Sequence, residues 1–179
     1  MLSAFYFFYM IIKKNKKMLA FILKLLYNIS GRKWGNVEVA MFIGQYQFNI
    51  DEKGRLVIPQ EFRKKLGTEV IINKGIENCI SLYKMSDWEQ LVEKIATLPF
   101  NRSENRQFNR YFMSSAFKKE LDSQGRINID NILIDYAGIK KECVIIGAGP
   151  VIEIWAKDKW EIIESGRDQL DEISERLAL

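Results

Sequence analysis

Ile50-Asp51-Glu52-Lys53-Gly54-Arg55-Leu56-Val57-Ile58 returns further along the chain as Leu121-Asp122-Ser123-Gln124-Gly125-Arg126-Ile127-Asn128-Ile129. Both copies read apolar, Asp, two polar residues, Gly, Arg, then an alternation of apolar and polar residues. Internal repetition of this kind marks two copies of one supersecondary unit. Tyr46, Phe48 and Ile50 alternate before the first turn, and Leu56 and Ile58 after it, which is the period of a strand on either side of a β-hairpin loop. Glu52-Lys53-Gly54 fits a type I turn whose third residue takes the left-handed conformation, where glycine is favoured. Ser123-Gln124-Gly125 fits the same turn in copy two.

The segments after the two turns also match. Pro59 opens a short helix over Gln60–Leu66, with Phe62 and Leu66 on one face and Gly67 as its end. In copy two Asp130 stands where Pro59 was, as an N-cap, and Leu133 to Ala137-Gly138 keep the offsets. Apolar strands are predicted at Val70–Ile72 and Ile80–Tyr83, and again at Val144–Ile146 and Ile152–Trp155. A helix carrying Trp88 or Trp160 closes each unit. The first has a Ser86-x-x-Glu89 capping box and an apolar stripe of Trp88, Leu91, Val92 and Ile95. Each unit is small enough to need the other to bury a core.

Between the copies Asn101–Ala116 reads as a helix with Phe108, Tyr111 and Phe112 as its apolar side. Arg102, Arg106 and Arg110 recur every four residues on it, as a solvated stripe or a phosphate or partner contact. The organisation expected is an extension at 1–40, a first repeat at 41–100, a connecting helix at 101–115, a second repeat at 116–164 and a tail at 165–179. In the tail Leu170, Ile173 and Leu177 keep helical spacing.

The 179 residues carry a formal charge of +4, but the excess sits before Met41, in Lys13, Lys14, Lys16, Lys17, Lys24, Arg32 and Lys33 against Glu38 alone. The repeat-bearing part is close to neutral with a small acidic excess, so polyanion binding there needs a local patch, or weak patches summed in an oligomer. The apolar runs within 1–40 are too short for a spanning helix. A basic interfacial anchor is one reading of them. The other is an upstream start: Val37-Glu38-Val39-Ala40 can be encoded by a ribosome-binding sequence just ahead of the Met41 codon, which places the native start at Met41.

The chain has no histidine, which removes imidazole bases, His-metal sites and His-based triads. Cys79 and Cys143 sit in apolar strands without C-x-x-C spacing and read as buried free thiols. Gly147-Ala148-Gly149-Pro150 reads as a turn rather than a phosphate cradle. No enzyme, metal or cofactor is expected.

Asp51 and Arg55 flank the first loop, and Asp122 and Arg126 the second. The Asp carboxylate can accept turn N–H groups, so Asp51, Asp122, Gly54 and Gly125 read as hairpin architecture. Two readings of the arginine stand side by side. It can pair with the Asp and stiffen the turn, or present its fork to phosphates and base edges. Lys53 sits at the loop tip, free to point outward; copy two has Gln124 there.

These residues, with Met41-Phe42-x-Gly44-x-Tyr46, Ile58-Pro59, Phe62-Arg63, Leu82-Tyr83, Trp88, Arg106-x-Phe108-x-Arg110-x-Phe112, Tyr136-Ala137-Gly138 and Ile152-Glu153-Ile154-Trp155, give the span after Met41 its resemblance to the MraZ family of bacterial transcription regulators. The resemblance implies an α+β fold of two tandem AbrB-like swapped-hairpin β-barrel repeats with short helices. It further implies a cytoplasmic, nucleoid-associated repressor of the division and cell-wall gene cluster. Such a protein would be a homo-oligomeric ring on double-stranded DNA, at short direct repeats in its own promoter, with no membrane and no small-molecule substrate. Lys53 and Arg55 would approach DNA, with Arg126 as the second-repeat equivalent. Asp130 departs from the family's usual Pro and Ile134 from a common Arg, which makes the second repeat less basic. The alternative is an AbrB-type interaction module resembling an antitoxin.

Overall fold

Period-2 patterning decides which face a strand buries but not which strand it lies beside, and here the partners come from the other copy. The computed structural model describes residues 41–166 and Ser174. The elements are β1 (Phe42–Asn49), β2 (Arg55–Val57), α1 (Gln60–Leu66), β3 (Glu69–Lys74), β4 (Ile80–Lys84), α2 (Met85–Ala96) and α3 (Ser103–Ser114). After them come β5 (Phe117–Glu120), β6 (Arg126–Asn128), α4 (Asn131–Ala137), β7 (Glu142–Gly149), β8 (Ile152–Ala156) and α5 (Lys157–Ser165).

Six strands form one antiparallel sheet in the order β1-β7-β8-β4-β3-β5, while β2 and β6 form a separate two-stranded ribbon. β1 therefore does not pair with β2. It runs along β7 of the second copy, Phe42 opposite Gly149 and Asn49 opposite Glu142, and β2 pairs with β6. The simple hairpin expected around Asp51 is a tight turn whose two arms leave for different sheets. The α+β class and the swapped arrangement of two repeats stand. The barrel is corrected to an open sheet, because β1 and β5 end it unpaired with each other.

One core serves both copies. Phe42, Phe62, Leu66, Val70, Ile72, Ile80 and Leu82 from the first meet Leu133, Ala137, Ile145, Ile152 and Ile154 from the second. Leu56 and Ile58 of the ribbon close over it beside Ile127 and Ile129. Each Val, Leu, Ile or Phe among them, fully withdrawn from water, contributes about 1.5–3 kcal/mol, so neither copy could keep this stabilisation alone. The ribbon, α1 and α4 cover one face of the sheet. On the other face Ile71, Trp88, Ile95 and Phe112 form a second cluster that holds α2 and α3, and Trp160 of α5 packs on Trp155 with ring centroids 5.9 Å apart. Asn73 lies fully buried beneath α3; its amide donates to the Phe112 carbonyl at 3.0 Å and its carbonyl oxygen accepts the Ser115 hydroxyl at 2.6 Å.

Several local expectations hold and some are corrected. Pro59 precedes α1, and Gly67 (φ 82°) and Gly138 (φ 71°) follow α1 and α4. The Ser86 capping box does not form, because β4 runs straight into α2 and Lys84 takes the N-cap position. Asp130 does occupy the N-cap position of α4, but without a side-chain cap; its carboxylate is drawn to Lys119, 2.7 Å away. On α3 only Phe112 is buried, with Phe108 and Tyr111 exposed. Arg106 turns back to donate to the Phe100 carbonyl at 2.8 Å, so the arginines of α3 are not a uniform free stripe. Gly147 lies inside β7 rather than in a turn; the turn is left to Gly149 to Val151, closed by Ala148 N–H donating to the Val151 carbonyl at 2.9 Å. Cys79 and Cys143 are buried free thiols, and burial pushes both up to about 12, out of reach of thiolate chemistry near neutrality. Among the described residues no helix is long and apolar enough to cross a membrane. The expectations for 1–40 and for Leu170, Ile173 and Leu177 lie outside the described residues.

Candidate nucleic-acid interface

The two turns are built alike. Asp51 Oδ1 accepts the backbone N–H groups of Lys53 and Arg55, both at 2.9 Å. Its Oδ2 accepts Nε–H of Arg55 at 2.7 Å, with Nη2 also 2.7 Å away. In the second turn Asp122 Oδ1 accepts N–H of Gln124 and Arg126 at 2.9 Å, and Oδ2 accepts Arg126 Nε–H at 2.7 Å. Gly54 and Gly125 both have φ +73°, in the region where a side chain is strained. Their N–H groups return to the carbonyls of Asp51 and Asp122 at 2.9 and 2.8 Å. One carboxylate thus closes the turn and aims the arginine together, so the two readings of the arginine are compatible.

This bonding sets the acid chemistry of the turns. The Arg55 side chain first, then its backbone N–H, holds the Asp51 carboxyl down at about 2, against an ordinary 3.8. Asp122 is lowered too, by the backbone N–H and then the side chain of Arg126. A carboxylate depressed in the folded state stabilises it above the unfolded pKa, and that contribution is lost as pH falls through the folded value. For Asp51 the window runs from about pH 4 down to about pH 2. Carboxyl NMR titration is expected to place the Asp51 midpoint near 2 in wild type, and Arg55→Ala to move it upward. A wild-type midpoint at the ordinary carboxylate value would contradict the turn geometry.

The tertiary structure brings the two arginines together. In the ribbon Leu56 lies opposite Ile127, Arg55 opposite Asn128 and Val57 opposite Arg126. Leu56 and Ile127 are fully buried, so alternation puts Arg55, Val57, Arg126 and Asn128 on the outward face. Arg55 and Arg126 occupy diagonal positions, in general roughly 7–8 Å apart. Each turn also supports the other copy: Ile58 N–H donates to the Gly125 carbonyl at 3.0 Å, and Ile129 N–H to the Gly54 carbonyl at 2.8 Å. Because the strands are antiparallel, the turns lie at opposite ends of the ribbon, with exposed Lys53 at one tip and Gln124 at the other.

One residue of this layer had no role expected from its sequence position. Arg63 of α1 reaches across to the second turn and donates from Nη1 to the Gln124 carbonyl at 3.3 Å. It lies over Gly125, where an added Cβ would collide with it. Its counterpart Ile134 lies instead over Gly54, 3.5 Å from where a Cβ would stand. The arginine missing at Ile134 would have served the first turn, and the arginine present at 63 serves the second. The expectation of a second turn with less positive charge is thereby altered. The motif Phe62-Arg63 was visible in the sequence, but nothing local told which turn it would meet.

A family model described as "MraZ protein, putative antitoxin-like" matches the chain twice in tandem, over residues 41–111 and 112–179. The chain is also similar to proteins named "Transcriptional regulator MraZ" from two strains of Lactobacillus delbrueckii subsp. bulgaricus. Each is 44% identical over 138 residues, covering 76% of this chain and 96% of the relative.

Proposed function

Since the chain belongs to the MraZ family, we propose that it is a DNA-binding transcriptional regulator whose reading head is the β2–β6 ribbon. The observation that carries this is the placement of Arg55 and Arg126 on one outward face, each aimed by its own Asp. A two-stranded ribbon is narrow enough to enter the major groove, and an arginine fork matches the O6 and N7 acceptors of guanine. Arg55 and Arg126 read bases in this scheme, and Lys53 at the tip of the first turn supplies charge to the backbone.

The finer reading is a repressor of the division and cell-wall gene cluster that binds short direct repeats in its own promoter as a ring, in the cytoplasm and at the nucleoid. The near-neutrality of the repeat-bearing part gives a reason for the ring. One ribbon offers few contacts, and copies held at a fixed spacing add them through effective concentration. The competing reading as an antitoxin-like interaction module draws on the exposed Phe100, Phe108 and Tyr111. It predicts capture of a protein without salt-dependent promoter binding.

A footprint of the full chain on the DNA upstream of its own gene, at two salt concentrations, separates these. Protection of regularly spaced repeats that weakens with salt supports the regulator; no protection at either salt overturns it. Lys53→Ala is expected to weaken binding on specific and random duplexes alike, and to lower the slope of log affinity against log salt by about 1 for each engaged protomer. An unchanged slope would remove Lys53 from the interface.

A further inference from the structure

Building on the DNA-binding reading, we propose that Arg63 is a phosphate-binding residue of the second turn, supplying there the charge that Lys53 supplies at the first. The second tip carries Gln124, so the local sequence leaves that end of the ribbon without a cation free of its own Asp. The swap replaces it from the other copy. Arg63 comes from α1, crosses to the second turn and touches it at Gln124 and Gly125.

The bonding of Arg63 leaves its charge available. It makes one bond, of 3.3 Å, to a neutral carbonyl, and no carboxylate lies within ion-pair distance among the described residues. Among the described residues its buried Nε has no acceptor. A guanidinium carries five N–H donors, so most are unspent. The other cations of the layer differ. Arg55 and Arg126 are each committed to an Asp, Lys64 pairs with Glu61 at 2.8 Å, and Lys65 donates to the Met41 carbonyl at 2.8 Å. A groove astride the ribbon presents phosphates beyond both of its ends. Lys53 stands at one end and Arg63 at the other, so pseudo-symmetry of charge is restored by residues from non-equivalent sequence positions.

The test compares the full-length wild type with Arg63→Gln, Arg63→Lys and the double variant Arg63→Gln/Gln124→Lys. All are titrated on the duplex from upstream of the gene and on a random duplex, across a salt series, with thermal melting as a check on folding. Glutamine at 63 removes the charge but is too short to keep the bond that Nη1 makes to the Gln124 carbonyl, so Arg63→Lys, which keeps the charge, separates the two losses. Arg63→Gln is expected to weaken binding to both duplexes and lower the salt slope by about 1 for each engaged protomer. Arg63→Lys should keep the wild-type slope, and a lysine at position 124 should recover it in the double variant. Arg63→Gln matching wild type in affinity and slope overturns the proposal, as does an equal loss in Arg63→Gln and Arg63→Lys accompanied by a lower melting point, which marks a purely structural clamp. If the wild type shows no salt-dependent binding to either duplex, the DNA-binding reading itself falls. If wild type and Lys53→Ala behave as expected and Arg63→Gln does not, only the assignment of Arg63 falls.

Discussion

Arg55→Ala is expected to abolish most promoter binding while the protein stays folded. One bidentate arginine–guanine pair discriminates by about 1–3 kcal/mol, or roughly 5- to 150-fold for each protomer engaged, and a multivalent assembly multiplies the loss. The fold should tolerate the change for three reasons. The Arg55 side chain is 35% exposed, and exposed ion pairs contribute little to stability. The backbone N–H of residue 55 keeps its bond to Asp51, and Leu56 keeps its place in the core. Gel shift with circular dichroism on the same sample makes the comparison. A variant that shifts the promoter like wild type would show that the ribbon is not the reading head. Arg126→Ala should act in the same direction, since its turn is bonded identically.

The largest expected loss of stability comes from Gly147→Ala. A Cβ at 147 would stand 2.6 Å from the Phe42 carbonyl oxygen and against the Phe42 and Ile43 main chain. Backbone cannot swing aside as a side chain can, so β1 must move off β7. That ladder carries the first copy's opening strand on the second copy. A cost of about 3 kcal/mol, the upper end for overpacking, corresponds to a fall in Tm on the order of 10 °C. Gly67→Ala is the useful contrast. Nothing lies within 4 Å of its Cβ, so only the strain of its backbone remains: φ 82° with ψ −167° is a region nearly reserved for glycine, costing about 1–3 kcal/mol. A Gly147→Ala variant that melts with the wild type would refute the close approach.

Much of the site was legible in the order of residues alone. The Asp, two polar residues, Gly and Arg of each copy specify a turn closed by a carboxylate, with glycine where φ must be positive, because every partner lies within the same few residues. Ile58-Pro59 and Ala137-Gly138 marked helix boundaries for the same reason. Less visible were features that depend on distant partners. Asp130 fails to cap α4 because Lys119, in a strand of the same copy, competes for it. Ser86 fails to cap α2 because β4 arrives already extended at Lys84. Phe108 and Tyr111 share a helix with Phe112, yet only the side chain aimed at Trp88 is buried, stacked 5.2 Å from it.

The sequence by itself determined the duplication, the chemistry of both turns and the faces that the strands and the short helices after each turn would bury, since these depend on spacing along one stretch of chain. Only the tertiary structure decided that the arms of each turn leave for strands of the other copy. It likewise placed Arg55 and Arg126 on one face of a shared ribbon and carried Arg63 to the turn that lacks a lysine. The physical reason is that alternation assigns a residue to a face but leaves its neighbour across the ladder open. That neighbour is chosen by a core that neither copy can bury alone.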